Sequence, residues 1–292
     1  MQKIGLVISG GSSKGAYQIG FFKAFTKFGL APAVNAVSAT SIGVINTYAF
    51  LTGKLEQAEE LWTNLAFNGI WNLRKKIKEE NILYDSFSRL ITSTDKIPCD
   101  FYITLSEMST MTAQYFNLHG KVNAEQEKLL YATVSIPLLT APPLQHNGKI
   151  YFDGGVTDNI PLTPLIHADL DTIFVVHFTP EYQVKEEKFK NDTQIININM
   201  SQCNHFIKGN FNFQKEQVRQ MIDEGENYTR QTIDNYLLQH YDKKAAASHA
   251  GYDLYSYLSG ARMLEVLNKA LDIGKDKRAW CIEKIKQLFF PL

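Results

Sequence analysis

Between Lys3 and Ser9 the residues Ile4, Leu6, Val7 and Ile8 leave no polar face, the pattern of a strand buried on both sides. Gly10 and Gly11 end it. From 15 to 28 the period becomes that of a helix. Ile19, Phe22 and Phe25 make an apolar stripe, Lys23 and Lys27 a wet side, and Gly29 a stop. A second strand is predicted over 33–40 and a second helix over 42–52. That helix is apolar nearly all round, which places it at the centre of the molecule. Strand followed by helix, twice over, predicts a parallel sheet covered on both faces. Residues 55–66 read as a further helix, with Glu56, Glu59 and Glu60 turned away from Leu55 and Leu61.

Farther on, 100–107 and 112–118 read as strands joined by a tight polar turn, and 123–134 as a helix. Asn147-Gly148 is a strong turn pair and predicts a hairpin over 143–152. The β-branched runs 172–178 and 194–199 read as strands, the charged stretch 181–192 as a solvated loop, and 212–240 as a long amphipathic helix. The remainder is helix-forming and matches no motif. The domain division expected is 1–234 for the α/β body and 235–292 for a helical extension packed on it.

Three turns carry candidate chemistry. In Ser38-Ala39-Thr40-Ser41-Ile42-Gly43 a strand ends, a serine follows between small residues, and a helix begins at once. Such a sharp turn exposes a serine hydroxyl above a parallel sheet, and the helix start favours developing negative charge. Gly10, Gly11 and Ser12, followed by Lys14 and Gly15, form a glycine-rich loop at a helix start, where backbone N–H groups can converge on an oxyanion. The loop fits the spacing of neither a phosphate loop nor a dinucleotide fingerprint. The third turn is Asp153-Gly154-Gly155.

Taken in chain order, glycine loop, serine elbow and Asp-Gly-Gly, the three turns resemble the patatin-like phospholipases, and the resemblance covers roughly 1–234. It includes Met108-Ser109-Thr110-Met111-Thr112 and Ser135-Ile136-Pro137. It implies a three-layer α/β/α fold with a mainly parallel central sheet. Ser41 is then the nucleophile and Asp153 its base, acting without histidine. Gly10, Gly11 and Ser12 are then the oxyanion donors, with Lys14, Gly15, Gly43, Gly154 and Gly155 in support. The implied substrate is a lipid or phospholipid ester, cleaved through an acyl-enzyme. Two residues depart from the family pattern: Ser12 replaces a loop glycine and Ala39 the first glycine of the elbow. Other readings stand beside this one. The protein is a silent lipid-binding protein on the same fold, an esterase or thioesterase for soluble substrates, or a triad enzyme using His167 or His177.

Composition narrows the picture. Lys and Arg number 30, as do Asp and Glu, which gives no basic face for nucleic acid. Cys99, Cys203 and Cys281 are odd in number and widely spaced, against a disulfide framework and in keeping with a reducing compartment. No Cys-His spacing suits a metal, and no cofactor is called for. Met1-Gln2-Lys3 leads straight into a strand, so no signal peptide is read and a cytoplasmic location is expected. Phe67, Ile70 and Trp71 precede Arg74, Lys75, Lys76 and Lys78. This stretch reads as a core-facing helix end with a solvated basic face, with peripheral seating on an anionic membrane as the alternative. Leu288-Phe289-Phe290-Pro291-Leu292 offers the same pair of readings. The oligomeric state is left open.

Overall fold

The computed structural model describes residues 2–64, 89–92, 94–135, 143–184, 189, 193–206 and 214–244. The Phe67–Lys78 stretch, Ile136-Pro137, most of the charged stretch 181–192, Cys281, Leu288–Leu292 and the rest of 245–292 lie outside them.

In chain order the elements are β1 (Ile4–Ile8), α1 (Gly15–Lys27), β2 (Val34–Thr40), α2 (Ile42–Leu51) and α3 (Leu55–Asn64). Next come β3 (Lys96–Ile97), β4 (Asp100–Glu107), β5 (Thr112–Asn117), β6 (Gly120–Lys121) and α4 (Ala124–Ala132). The series closes with β7 (Leu144–His146), β8 (Lys149–Asp153), β9 (Thr172–His177), β10 (Gln194–Asn199) and α5 (Lys215–Lys244). Those predicted elements that fall on the described residues are present, most with ends shifted by a few residues. The two-residue strands β3 and β6 were not foreseen. They form a separate small sheet with too few residues to leave a period. Helix α5 runs through 234 and 235 without a break.

One sheet holds the other eight strands, in the order β10-β9-β1-β2-β4-β8-β7, with β5 paired to β4. The five strands from β10 to β4 are parallel. β5, β8 and β7 are antiparallel to their neighbours. Every residue of β1 and β9 is buried, which explains their unbroken apolar runs. Ile4, Leu6 and Ile8 face a large core shared with α1, α2 and α5, while Val7 faces a second core with Leu165, Leu170, Val175 and Phe189. The sheet is therefore covered on both sides, as expected for three layers.

Local signals explain the ends. Gly29 closes α1 at φ 69°, and the type of turn read at Asn147-Gly148 appears with φ 48° and 74°. Asn123 caps α4. Its Oδ1 accepts from the N–H groups of Glu125 and Gln126, and Gln126 Oε1 accepts from the Asn123 N–H. Helices α1 and α5 cross closely enough to need glycine on both. A Cβ on Gly20 would lie 2.0 Å from the Ile222 carbonyl oxygen, and one on Gly225 would lie 2.2 Å from that of Tyr17.

The pairing around β4 positions the site. Its residues 102–107 pair with β5 on one edge. Its other edge is shared: β2 pairs with 100–104 and β8 with 105–107. The two partners run in opposite directions and meet end to end, Thr40 opposite Thr104 and Asp153 opposite Leu105.

Candidate active site

Ser41 follows β2 directly and is the N-cap of α2, with φ 55° and ψ −134°. A non-glycine residue in that region is strained and persists only where its surroundings fix it. Here close packing fixes it. A Cβ on Gly43 would lie 2.6 Å from the Ser9 carbonyl oxygen, and one on Gly10 would lie 2.9 Å from the Ser41 Cβ. The elbow and the glycine loop therefore press on each other with no room for side chains.

Ser41 Oγ donates to Asp153 Oδ2 at 2.6 Å, and Asp153 Oδ1 accepts from the Gly155 N–H at 2.8 Å. Asp153 is also held by its backbone: its N–H donates to the Ser135 carbonyl and its own carbonyl accepts from Ser106 Oγ. The residue is only 5% exposed. Burial pushes its pKa up to about 6, against the hydrogen bonds from Ser41 and Gly155, which hold it down. Gly154 must be glycine here, since a Cβ would lie 2.3 Å from the Thr104 carbonyl oxygen.

The loop is fixed from two sides. Below, Gln18 Nε2 donates to the Ser9 carbonyl at 2.6 Å, and Asn46 Nδ2 donates to Gln18 Oε1 and to the Gly15 carbonyl. Trp62 Nε1 completes this buried chain by donating to Asn46 Oδ1. Above, the Gly10 N–H donates to the Asn159 carbonyl at 3.2 Å. Gly10 is thus already engaged, while the Gly11 N–H makes no hydrogen bond among the described residues. A Gly11 Cβ would lie 2.4 Å from the Phe178 ring. Gly15 starts α1 against Trp62 and Ile42.

The two departures from the family pattern differ physically. Ser12 sits at φ 52°, where glycine is at ease and serine is strained. Ala39 is a buried strand residue paired to Ile8 and Ile103, outside the positive-φ region, so its methyl costs no backbone strain. The Lys14 ammonium lies 5.9 and 6.0 Å from the ring centres of Phe178 and Phe206. It has no carboxylate partner among the described residues, and burial lowers its pKa.

No histidine hydrogen-bonds to Ser41 or Asp153 among the described residues. His177 is buried and committed elsewhere, with Nε2 on Asn197 Oδ1 at 2.7 Å and Nδ1 accepting from the Thr179 N–H. No described group of three or more His, Cys, Asp or Glu could hold a metal ion. No described helix is long and apolar enough to cross a membrane. Sequence reading did not single out Asp158 and Asn159. The signal that could have found them is their place five and six residues after the aspartate, within the same turn.

Residues 6–166 match the sequence model of the family Patatin-like phospholipase. Lysophospholipase NTE1 of Cryptococcus neoformans var. neoformans serotype D is 29% identical over 189 residues, covering 60% of this chain and 11% of that protein. Lysophospholipase NTE1 of Saccharomyces cerevisiae matches with the same identity and coverage. The chain thus spans only 11% of the length of these curated relatives. Among solved structures, VipD from Legionella pneumophila is similar in fold. Its TM-score is 0.51 at 12% identity, over 100% of this chain and 80% of that one.

Proposed function

The chain belongs to the patatin-like phospholipases, and from that premise we propose that it hydrolyses carboxylic esters of lipids through Ser41 and Asp153. The observation that carries this reading is the 2.6 Å hydrogen bond from Ser41 Oγ to Asp153 Oδ2. A serine hydroxyl attacks an ester only if a base takes its proton. Asp153 is in place to do so, and a pKa near 6 makes it a far better base than a solvated carboxylate.

In the proposed sequence Ser41 Oγ attacks the ester carbonyl carbon while its proton passes to Asp153. The carbonyl oxygen becomes an oxyanion beside the N–H groups of Gly11 and Ser12. Gly10, whose N–H is held by Asn159, shapes the loop more than it donates. The start of α2 adds favourable potential. The tetrahedral intermediate collapses, the bond to the leaving alcohol breaks, and Asp153 returns the proton to that alcohol. Water then attacks the acyl carbon as Asp153 takes its proton, the bond to Ser41 Oγ breaks, the proton passes from Asp153 to Ser41 Oγ, and the fatty acid leaves. Lys14 keeps positive potential beside the loop. Lysophospholipid is the first substrate to try, because the matched relatives are named as lysophospholipases.

A panel of lysophospholipids, phospholipids and neutral glycerides, read by mass spectrometry, tests the proposal with Ser41→Ala as the blank. Free fatty acid should appear, and the serine variant should lose activity by a factor on the order of 10⁴ or more. Release no greater than the blank on every lipid, with a soluble thioester or ester turned over instead, would replace this reading with that of a soluble esterase. Labelling by a fluorophosphonate, which reports an activated serine, separates both from a silent lipid-binding protein.

A further inference from the structure

Asn159 joins the two halves of the site. Its carbonyl accepts the Gly10 N–H at 3.2 Å, and its Nδ2 donates to the Gly10 carbonyl at 3.3 Å. One residue thus takes both backbone polar groups of Gly10. Its Oδ1 is wedged between two glycines, 2.4 Å from the place of a Gly10 Cβ and 3.2 Å from that of a Gly155 Cβ. Asp153 Oδ1 lies 3.2 Å from the same Gly155 position, so the two oxygens are at most about 6.4 Å apart. The preceding residue is anchored as firmly. The Asp158 N–H donates to the Gly154 carbonyl, its own carbonyl accepts from Thr40 Oγ1 at 2.9 Å, and its carboxylate accepts from the Tyr115 hydroxyl at 2.7 Å. Residues 158 and 159 therefore touch the glycine loop, the residue before the nucleophile and the residue after the base.

We propose that Asn159 is a positioning residue that sets where the Gly11 and Ser12 N–H groups stand relative to Ser41 Oγ. The proposal rests on the Ser41–Asp153 reading. A glycine loop has no side chains with which to hold itself, and Gly10 is the point where it leaves β1. An oxyanion donor works only within a few tenths of an ångström of its place, and a shift of about 1 Å costs roughly 10²-fold in rate. An amide suits this position where a carboxylate does not. It offers an N–H to the Gly10 carbonyl, and it places no second negative charge beside Asp153.

The test compares the parent protein, Ser41→Ala, Asn159→Ala and the near-isosteric Asn159→Asp on a soluble monomeric ester, from mildly acid to mildly alkaline pH. Asn159→Ala should lower kcat by about 10²-fold with KM little changed and the acid limb of the profile in place. Asn159→Asp should lose at least as much, and its acid limb should move to higher pH, because the added charge disfavours ionised Asp153. A purely structural role would lower the melting temperature and leave kcat of the folded Asn159→Ala protein unchanged. Should Asn159→Ala fail to fold, Asn159→Asp decides alone. A folded Asn159 variant that keeps kcat within about threefold of the parent overturns the proposal. A parent rate no higher than Ser41→Ala overturns the Ser41–Asp153 reading, and the proposal with it.

Discussion

Burial makes Asp153 a stronger base and, in the same stroke, a costlier residue to keep. Its pKa near 6 means that activity on a monomeric ester should be level at neutral pH and fall about tenfold per unit below about 6, as the base is protonated. An acid limb in the range of a solvated carboxylate would show that Asp153 is not the base. The folded protein also holds this proton more tightly than the unfolded chain. The stabilising contribution is complete below the unfolded carboxylate range and is lost as pH rises through about 6. At neutral pH the buried charge is a net penalty. Asp153→Asn should therefore be inactive yet more stable than the parent at neutral pH, by on the order of 2 kcal/mol, with the gain vanishing in acid. Denaturant melts at two pH values check this. Ser41 holds a different kind of stress, in its backbone at φ 55° and ψ −134°. Glycine usually weakens a chain relative to alanine, but here Ser41→Gly should be more stable than Ser41→Ala by about 1 kcal/mol. The reverse order in thermal melts would show that the elbow is not strained. Ser41 and Asp153 were legible in the sequence because small residues crowd around them for steric reasons. Asn159 was not, since its work is visible only once Gly10 and Gly155 are brought to either side of it.

Helices and strands were legible where one element decides its own pattern. The period of α1 and the unbroken apolar run of β1 each report burial by neighbours on known faces. What the period could not report is how near a neighbour comes. Gly20 and Gly225 lie inside helices, where replacing glycine by alanine ordinarily gains up to about 1 kcal/mol. At Gly225 the new methyl would stand 2.2 Å from the Tyr17 carbonyl oxygen, backbone that has nowhere to go. Overpacking should win over propensity, and Gly225→Ala should lose about 3 kcal/mol. A stabilised Gly225→Ala in urea melts would mean that α1 and α5 do not cross in contact. The partner chosen by β8 was equally hidden. The hairpin over β7 and β8 can be read from Asn147-Gly148, yet nothing local says that β8 docks on β4, some forty residues back, rather than on a neighbour in sequence.

At the scale of the molecule, the family match ends at residue 166, but the sheet does not. β1 lies between β2 and β9, hydrogen-bonded to β9 from Thr172 to Val176, and α5 covers α1. A chain ended at 166 should lack a cooperative unfolding transition, because β1 would keep an open edge and α1 an uncovered apolar face. A sharp calorimetric transition in that fragment would contradict it. The meeting of β2 and β8 on one edge of β4 has a further consequence, for tolerance to change in chain length. The separation of Ser41 and Asp153 is measured along β4, by the single peptide step between Thr104 and Leu105, and not along the hundred-odd residues of chain that join them. Length can therefore be added wherever β4 does not count it. A short glycine-serine insert between Asn147 and Gly148 should leave the rate on a monomeric ester within about threefold of the parent, since the hairpin tip lies outside the measured interval. One residue inserted between Thr104 and Leu105 should abolish it, though nothing of the nucleophile, the base or the glycine loop has been altered.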